Sequence, residues 1–161
     1  MAIVQRDVQI KASPQETGAL LSDASRWPDW YPGTTVLDVA APFPEVGGKV
    51  AFKLKQAGMS MSITETVLDY QPGKLALLQI DGIISGRARW EMIPEAEGTR
   101  LTATYDYVPP GGVFGKIADA LIVKRVNAKG LEEGLRNFKA LVEADASTRS
   151  PSPSASPDTP A

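Results

Sequence analysis

Residues 109–115, "PPGGVFG", separate two stretches of the chain whose apolar residues repeat with different periods. Before them, from residue 34 to residue 108, apolar and polar residues alternate in short segments, as in β-strands. After them, over residues 113–144, apolar residues recur every three, four or seven positions, as on one face of an amphipathic helix. Because Pro and Gly interrupt regular structure, the sequence predicts a run of strands, a turn, and one long C-terminal helix.

Six strands are predicted in that run. Short connections containing Gly or Pro join them, and strands joined in this way pair as an antiparallel meander. The predicted strands span residues 34–39, 49–55, 59–70, 74–80, 84–93 and 100–108.

The N-terminal segment adds a strand and short helices. Residues 3–11 alternate as an imperfect strand, and "ASPQETGALLSD" follows at residues 12–23. Ser13, Pro14 and Glu16 occupy the positions of a capping box with Pro at the first helical position, so a short helix is expected over about residues 14–22. The resulting order of strand, short helices, six strands and one helix is of the α+β class.

Three of the eleven aromatic residues crowd into "SRWPDWYPG", residues 25–33, where two prolines favour tight turns. Trp27, Trp30 and Tyr31 either plug the core or border the mouth of a binding pocket, and one arrangement serves both roles. We expect Trp27→Ala to cost about 3–5 kcal/mol of stability, and changes at Trp30 or Tyr31 to affect mainly ligand uptake.

Composition narrows the function classes. A chain of 161 residues predicts one domain, and a net charge of -2 gives no footprint for nucleic acid. The sequence contains no Cys, which excludes thiolate sites, and no His, which is the commonest metal ligand and the commonest general base. We therefore expect no metal or cofactor. With neither a signal peptide nor a membrane-length apolar run, the sequence favours a cytoplasmic protein without stable membrane insertion.

A curled seven-stranded sheet around one helix leaves a hollow. Period-two sorting places Trp90 on one face of its strand and Arg89 on the other, and brings Glu65 to the same face as neighbouring methionines. A buried Glu65 would need a partner or a raised pKa; otherwise it lies at a strand end in water. Each apolar candidate either packs the core or lines the pocket. The pocket candidates are Trp27, Trp30, Tyr31, Phe52, Met59, Met61, Glu65, Trp90, Tyr105, Tyr107, Phe114, Ile117 and Leu121.

The predicted C-terminal helix has two irregular features. Its 32 residues would span roughly 48 Å, so a bend, break or overhang is expected near Lys129 and Gly130. Lys124 and Arg125 interrupt the apolar stripe, and they are either solvated or reach into the hollow to hold an acidic ligand. The Gly-rich turn before the helix lacks the Lys and spacing of a P-loop.

Several segments together resemble the polyketide cyclase/dehydrase and lipid-transport family of the START-like (SRPBCC) superfamily. They are "ASPQETGALLSDASRWPDWYPG", "YQPGKLALLQIDG", "RWEMIPEAEGTRLTATYDYVPPGGVFG" and "LRNFKALVEAD". The resemblance covers about residues 3–144. It implies the helix-grip fold, in which a curved antiparallel sheet wraps around the C-terminal helix and encloses a pocket for an apolar molecule. It implies no shared catalytic motif.

Three functions stay open. The leading hypothesis is a carrier, monomeric or homodimeric, that binds a lipid or polyketide-like molecule in residues 1–145, followed by a disordered Pro/Ser-rich tail over 146–161. The alternative is a polyketide aromatase/cyclase or dehydratase, with Tyr105, Tyr107, Glu65 or Arg89 moving protons. The third is an interaction module that uses its sheet surface or its tail.

Overall fold

The computed structural model describes residues 2–108 and 117–149. Seven strands and three α-helices succeed one another, with a 3₁₀ turn at Ala24–Arg26 before the second helix. In chain order they are β1 Ala2–Ile10, α1 Pro14–Leu21, α2 Trp27–Trp30, β2 Thr34–Ala40, β3 Lys49–Gln56, β4 Met59–Gln71, β5 Leu75–Gly82, β6 Ser85–Glu95, β7 Gly98–Val108 and α3 Ile117–Arg149.

All seven strands form one antiparallel sheet in the order β1-β7-β6-β5-β4-β3-β2. Strands β2 to β7 pair in chain order because short turns join them, and β1 closes the far edge by pairing with β7 along its whole length. The predicted α+β class, the seven-stranded sheet and the helix-grip arrangement are confirmed.

Helix α1 begins as the sequence predicts. The Ser13 hydroxyl accepts a hydrogen bond from the Glu16 backbone N–H at 3.1 Å, and the Glu16 carboxylate accepts one from the Ser13 backbone N–H at 2.9 Å. This reciprocal pair satisfies N–H groups that a helix start leaves without partners. It fixes the direction in which the chain leaves β1 and enters the aromatic segment.

On the described part of α3, full burial begins at Leu131, whereas Val123 and Ala128 are only partly buried against the core. The buried residues of α3 follow helical spacing: Leu131, Leu135, Phe138 and Val142. They pack against β1 and the two short helices, where Arg26 and Asp145 add an ion pair. No residue from 121 to 130 is buried, so this continuous helix overhangs the sheet, one of the three outcomes expected from its length.

Lys124 and Arg125 are exposed on the overhanging part of α3. The interpretation that one of them holds an acidic ligand in the hollow is therefore wrong, and the solvated alternative holds. The helix ends at Arg149, beyond the predicted end, and the rest of the predicted tail lies outside the described residues. Among those residues no helix is long and apolar enough to cross a membrane.

Candidate functional site

A cavity of about 90 Å³ lies between the inner face of the sheet, α2 and the middle of α3. At about 10–15 Å³ for each water centre, this space is enough for roughly six to nine water molecules. Aromatic side chains dominate its wall, which contains all three tryptophans, all four tyrosines and two of the four phenylalanines of the chain. The aromatic wall residues are Trp27, Trp30, Tyr31, Phe43, Phe52, Tyr70, Trp90, Tyr105 and Tyr107.

The hollow follows from small residues on the inner face of β6. Gly86 lies between Ile80 of β5 and Tyr107 of β7, two residues of the cavity wall, and Ala88 is the next residue on that face. A Cβ at Gly86 would lie 2.1 Å from the Asp106 carbonyl oxygen, and its φ of +157° is one that other residues rarely adopt. The position therefore requires glycine, which leaves space between its larger neighbours.

Trp27 is a buried core residue that also lines the cavity. Its indole N–H donates a hydrogen bond to the Leu21 carbonyl oxygen at 2.9 Å, and its ring meets Phe43 and Phe52 edge to face, with centroids 6.0 and 5.7 Å away. A buried indole whose N–H is satisfied is a typical core element. Trp27 thus belongs both to the packed core and to the wall of the cavity.

Trp30 is the centre of a second aromatic cluster. Only 3% of it is exposed, and its ring lies edge to face against Tyr31, Trp90 and Phe138 at centroid distances of 5.7, 5.8 and 5.1 Å. Its indole N–H has no hydrogen-bond partner among the described residues. Trp30 therefore combines core packing against α3 with a buried donor whose hydrogen bond is not made among the described residues.

Glu65 is the one ionisable carboxyl of the described wall, and it is 6% exposed. Its neighbours across the sheet are Val50 and Ile80, both buried, and within the described residues it forms no ion pair or hydrogen bond. Burial raises its pKa to about 7, because the apolar surroundings disfavour the charged form. The predicted inward face of Glu65 is correct.

Two tyrosines share the electrostatic environment of Glu65. Burial of its hydroxyl raises the pKa of Tyr31 to about 12; a hydrogen bond with the Gln56 side chain opposes this rise, and the charges of Glu65 and Tyr107 add smaller increases. Burial, and then the charges of Tyr31 and Glu65, also raise the pKa of Tyr105. Tyr31, Tyr105 and Glu65 all line the same cavity. The Tyr107 hydroxyl has no partner among the described residues.

A family profile described as polyketide cyclase / dehydrase and lipid transport matches residues 1–143. The chain belongs to this polyketide cyclase/dehydrase and lipid-transport family. A search among curated proteins finds no significant match.

Solved structures share the fold of this polyketide cyclase/dehydrase family member at low sequence identity. The protein TTHA0849 from Thermus thermophilus is 18% identical, with a TM-score of 0.76 over 90% of this chain and 99% of that one. The Zhui aromatase/cyclase from Streptomyces sp. R1128 is 19% identical, with a TM-score of 0.71 over 88% and 93% of the two chains. The di-domain ARO/CYC StfQ of the steffimycin biosynthetic pathway is 17% identical, with a TM-score of 0.74 over 90% of this chain and 51% of its own.

Eight of the thirteen predicted pocket residues line the cavity of this family member. They are Trp27, Trp30, Tyr31, Phe52, Glu65, Trp90, Tyr105 and Tyr107. Met61 is buried but belongs to the core rather than to the wall. Phe114 and the side chain of Ile117 lie outside the described residues.

The predictions that Met59 and Leu121 line the pocket are wrong. Met59 is 53% exposed because it pairs with Gln56 at the hairpin end of β4, beyond the region that the core covers. Leu121 is 52% exposed because it lies on the overhanging part of α3. A correct face assignment along a strand or helix thus does not ensure that an end residue reaches the core.

Arg89 does not join the carboxyl and phenols. It lies on the outer face of β6, exposed, where its guanidinium donates to the Glu91 carboxylate at 2.7 Å. Of the four side chains considered for proton transfer, Glu65, Tyr105 and Tyr107 line the cavity and Arg89 is excluded.

Sequence analysis missed several wall residues, of which Tyr70 is the most instructive. Strict alternation from Glu65 directs Tyr70 outward, but the register of β4 shifts between Val67 and Asp69, and Tyr70 turns inward. Its hydroxyl lies 3.0 Å from that of Ser22. A bulge leaves no reliable signal in one sequence. The other wall residues that were not predicted are Val4, Leu21, Ser22, Thr34, Phe43, Pro44, Leu54, Ile63, Val67, Ala76, Leu78, Ile80, Ile84, Asn127 and Leu131.

Proposed function

We propose that the protein binds an apolar small molecule in the cavity between its sheet and α3. The observation that carries this proposal is the aromatic wall, in which nine of the eleven aromatic residues of the chain surround the space. Flat rings give a large apolar contact area, which suits a lipid or a polycyclic, polyketide-like molecule. Membership of a family described by lipid transport and polyketide chemistry supports the same class of ligand.

Uptake of the neutral fluorescent probe N-phenyl-1-naphthylamine tests this proposal. Ile84 lines the cavity, and its chain neighbour Ile83 is 54% exposed, so one substitution at the two positions gives a matched pair. Ile84→Trp should fill the cavity and weaken probe binding about tenfold or more, since one lost contact of 1.4 kcal/mol already gives that factor. Ile83→Trp should bind as the unchanged protein does.

Probe fluorescence is measured with direct excitation of the probe, so that the added indole does not contribute. Equal loss of binding in both variants would place the probe on the surface. Absence of binding in the unchanged protein, with apolar probes of several sizes, would contradict an open apolar cavity and with it the proposed function.

A second candidate function is cyclisation of a polyketide chain in the same cavity. The observation in its favour is that Glu65, Tyr31 and Tyr105 all line this cavity, where burial raises the pKa of the carboxyl to about 7. A group that titrates near the working pH is suited to remove a proton from a carbon between two carbonyls, and a neutral phenol can donate to a carbonyl oxygen. Two structural relatives carry the words aromatase/cyclase or ARO/CYC in their names.

Turnover of a poly-β-ketone thioester, followed by mass spectrometry, tests this candidate. Glu65→Gln should slow cyclisation by a factor on the order of 10² to 10⁴, the usual contribution of a general acid or base. Arg89→Gln, which removes a charge from the outer face, should leave the rate unchanged. A rate in Glu65→Gln equal to that of the unchanged protein would exclude Glu65 as the base.

A further inference from the structure

We infer that the cavity takes a ligand with a protonated amine on an aromatic or other apolar body, and that the amine binds Glu65 and the rings beside it. This inference rests on the proposed function and specifies its ligand class. It has three independent grounds, namely the charge of the wall, the missing partner of Glu65 and the arrangement of the rings.

The charge of the wall favours a cation. Among the described lining residues Glu65 is the one acidic residue, and none is Lys or Arg. Arg125 and Lys129, the nearest cations along α3 to the lining residue Asn127, are exposed instead. A carboxylate or phosphate ligand would thus meet no positive partner in the described part of this wall, whereas an ammonium group meets a negative one.

Among the described residues, Glu65 has no hydrogen-bond or ion-pair partner of the kind that buried carboxyl groups normally have. It is more than nine-tenths buried, faces the cavity, and lies between Val50 and Ile80 in the sheet. Buried polar groups without partners are costly, and in native proteins nearly all are satisfied. An ammonium group supplies both the opposite charge and the N–H donors for a charge-assisted hydrogen bond.

Four rings of the wall that contains this carboxyl form a continuous chain. Tyr31 contacts Trp30, Trp30 contacts Trp90, and Trp90 contacts Tyr105, at centroid distances of 5.7, 5.8 and 6.0 Å. The two ends of the chain, Tyr31 and Tyr105, both lie where the Glu65 charge acts on them. Aromatic faces attract cations, and a carboxylate among several rings is a favourable environment for an organic ammonium ion.

The arrangement also couples binding to pH. The other titratable groups of the described wall are Tyr31 on the α2 side, Tyr70 on β4, and Tyr105 and Tyr107 on β7. Without ligand Glu65 is half protonated at about pH 7. An amine that binds below this pH must displace the Glu65 proton into solvent, so its apparent affinity should fall about tenfold per pH unit below 7 and level off above it.

The test compares 1-naphthylmethylamine with 1-naphthylmethanol, which share one ring system and differ in the charged group. Isothermal titration calorimetry at pH 8 should show the amine binding at least about tenfold more tightly than the alcohol, as expected for a hydrogen bond between charged groups. At pH 6, titrations in buffers of different ionisation enthalpy should report about one proton released per amine bound. Glu65→Gln should bind both compounds alike and release no proton.

The outcomes separate the inference from the proposed function. Equal affinity for amine and alcohol in the unchanged protein, or an amine affinity that ignores pH, overturns the inference even if Glu65→Gln fails to fold. Uptake of N-phenyl-1-naphthylamine without binding of the amine likewise overturns it and leaves the apolar cavity intact. Failure of all three compounds to bind overturns the proposed function and the inference together.

Discussion

Trp30→Ala should lower the free energy of unfolding by about 3–5 kcal/mol, the range found when a buried aromatic residue is truncated. Its ring is 3% exposed and joins Tyr31, Trp90 and Phe138 in one cluster, so removal opens a void that connects with the existing cavity. This expectation revises the one drawn from sequence, in which the effect of Trp30 was mainly on ligand uptake.

Equilibrium denaturation in urea measures the change. Leu37→Ala provides the control, since Leu37 is an apolar residue of the edge strand β2 that is 56% exposed, and its loss should change stability by no more than about 0.5 kcal/mol. A similarly small effect of Trp30→Ala would mean that its neighbours collapse into the vacated space, and that α3 does not depend on this contact.

Sequence patterns were most informative where local chemistry and burial agree. The capping box of Ser13 and Glu16 determines where α1 begins, and the stripe that includes Leu131 and Phe138 determines which face of α3 is buried. Gly and Pro at the turns fix the order of strands, because short turns force neighbours in sequence to pair. The fold class was therefore within reach of one sequence.

The wall of the cavity was only partly predictable, because it depends on geometry that one sequence does not reveal. Alternation assigns faces correctly until a bulge interrupts it, as between Val67 and Asp69, and Tyr70 then turns to the inside. Alternation also does not predict how deeply each residue of a face is buried. Met59 shares a face with Glu65 and is nevertheless exposed to solvent. The bulge decides the first case and the position of Met59 at the end of its hairpin decides the second, and neither follows from the alternation of residues.

The ionisation of Glu65 affects both the stability of the fold and the proposed binding of a ligand. A carboxyl among apolar neighbours weakens the fold whenever it ionises, since no cation of the described wall compensates its charge. The unfolded chain carries no such penalty, because there the carboxyl has its ordinary pKa near 4.5. A binding site that uses this charge must therefore tolerate a less stable protein at neutral and alkaline pH.

Glu65→Gln should accordingly stabilise the ligand-free protein in a pH-dependent way. The folded pKa of about 7 lies above the unfolded value of 4.5, so the folded state holds the proton more tightly. The stability from that proton is fully present below pH 4.5 and is lost as pH rises through 7. The folded and unfolded pKa values differ by about 2.5, and at about 1.36 kcal/mol per pH unit this difference corresponds to about 3 kcal/mol in the free energy of unfolding. The variant should therefore gain about 3 kcal/mol over the unchanged protein between pH 4.5 and pH 8, measured by urea denaturation along a pH series.

Glu133→Gln, an exposed change on α3, controls for the loss of one carboxyl. A difference between Glu65→Gln and the unchanged protein that stays constant with pH would show that Glu65 is ionised without penalty, and that an unrecognised partner satisfies it.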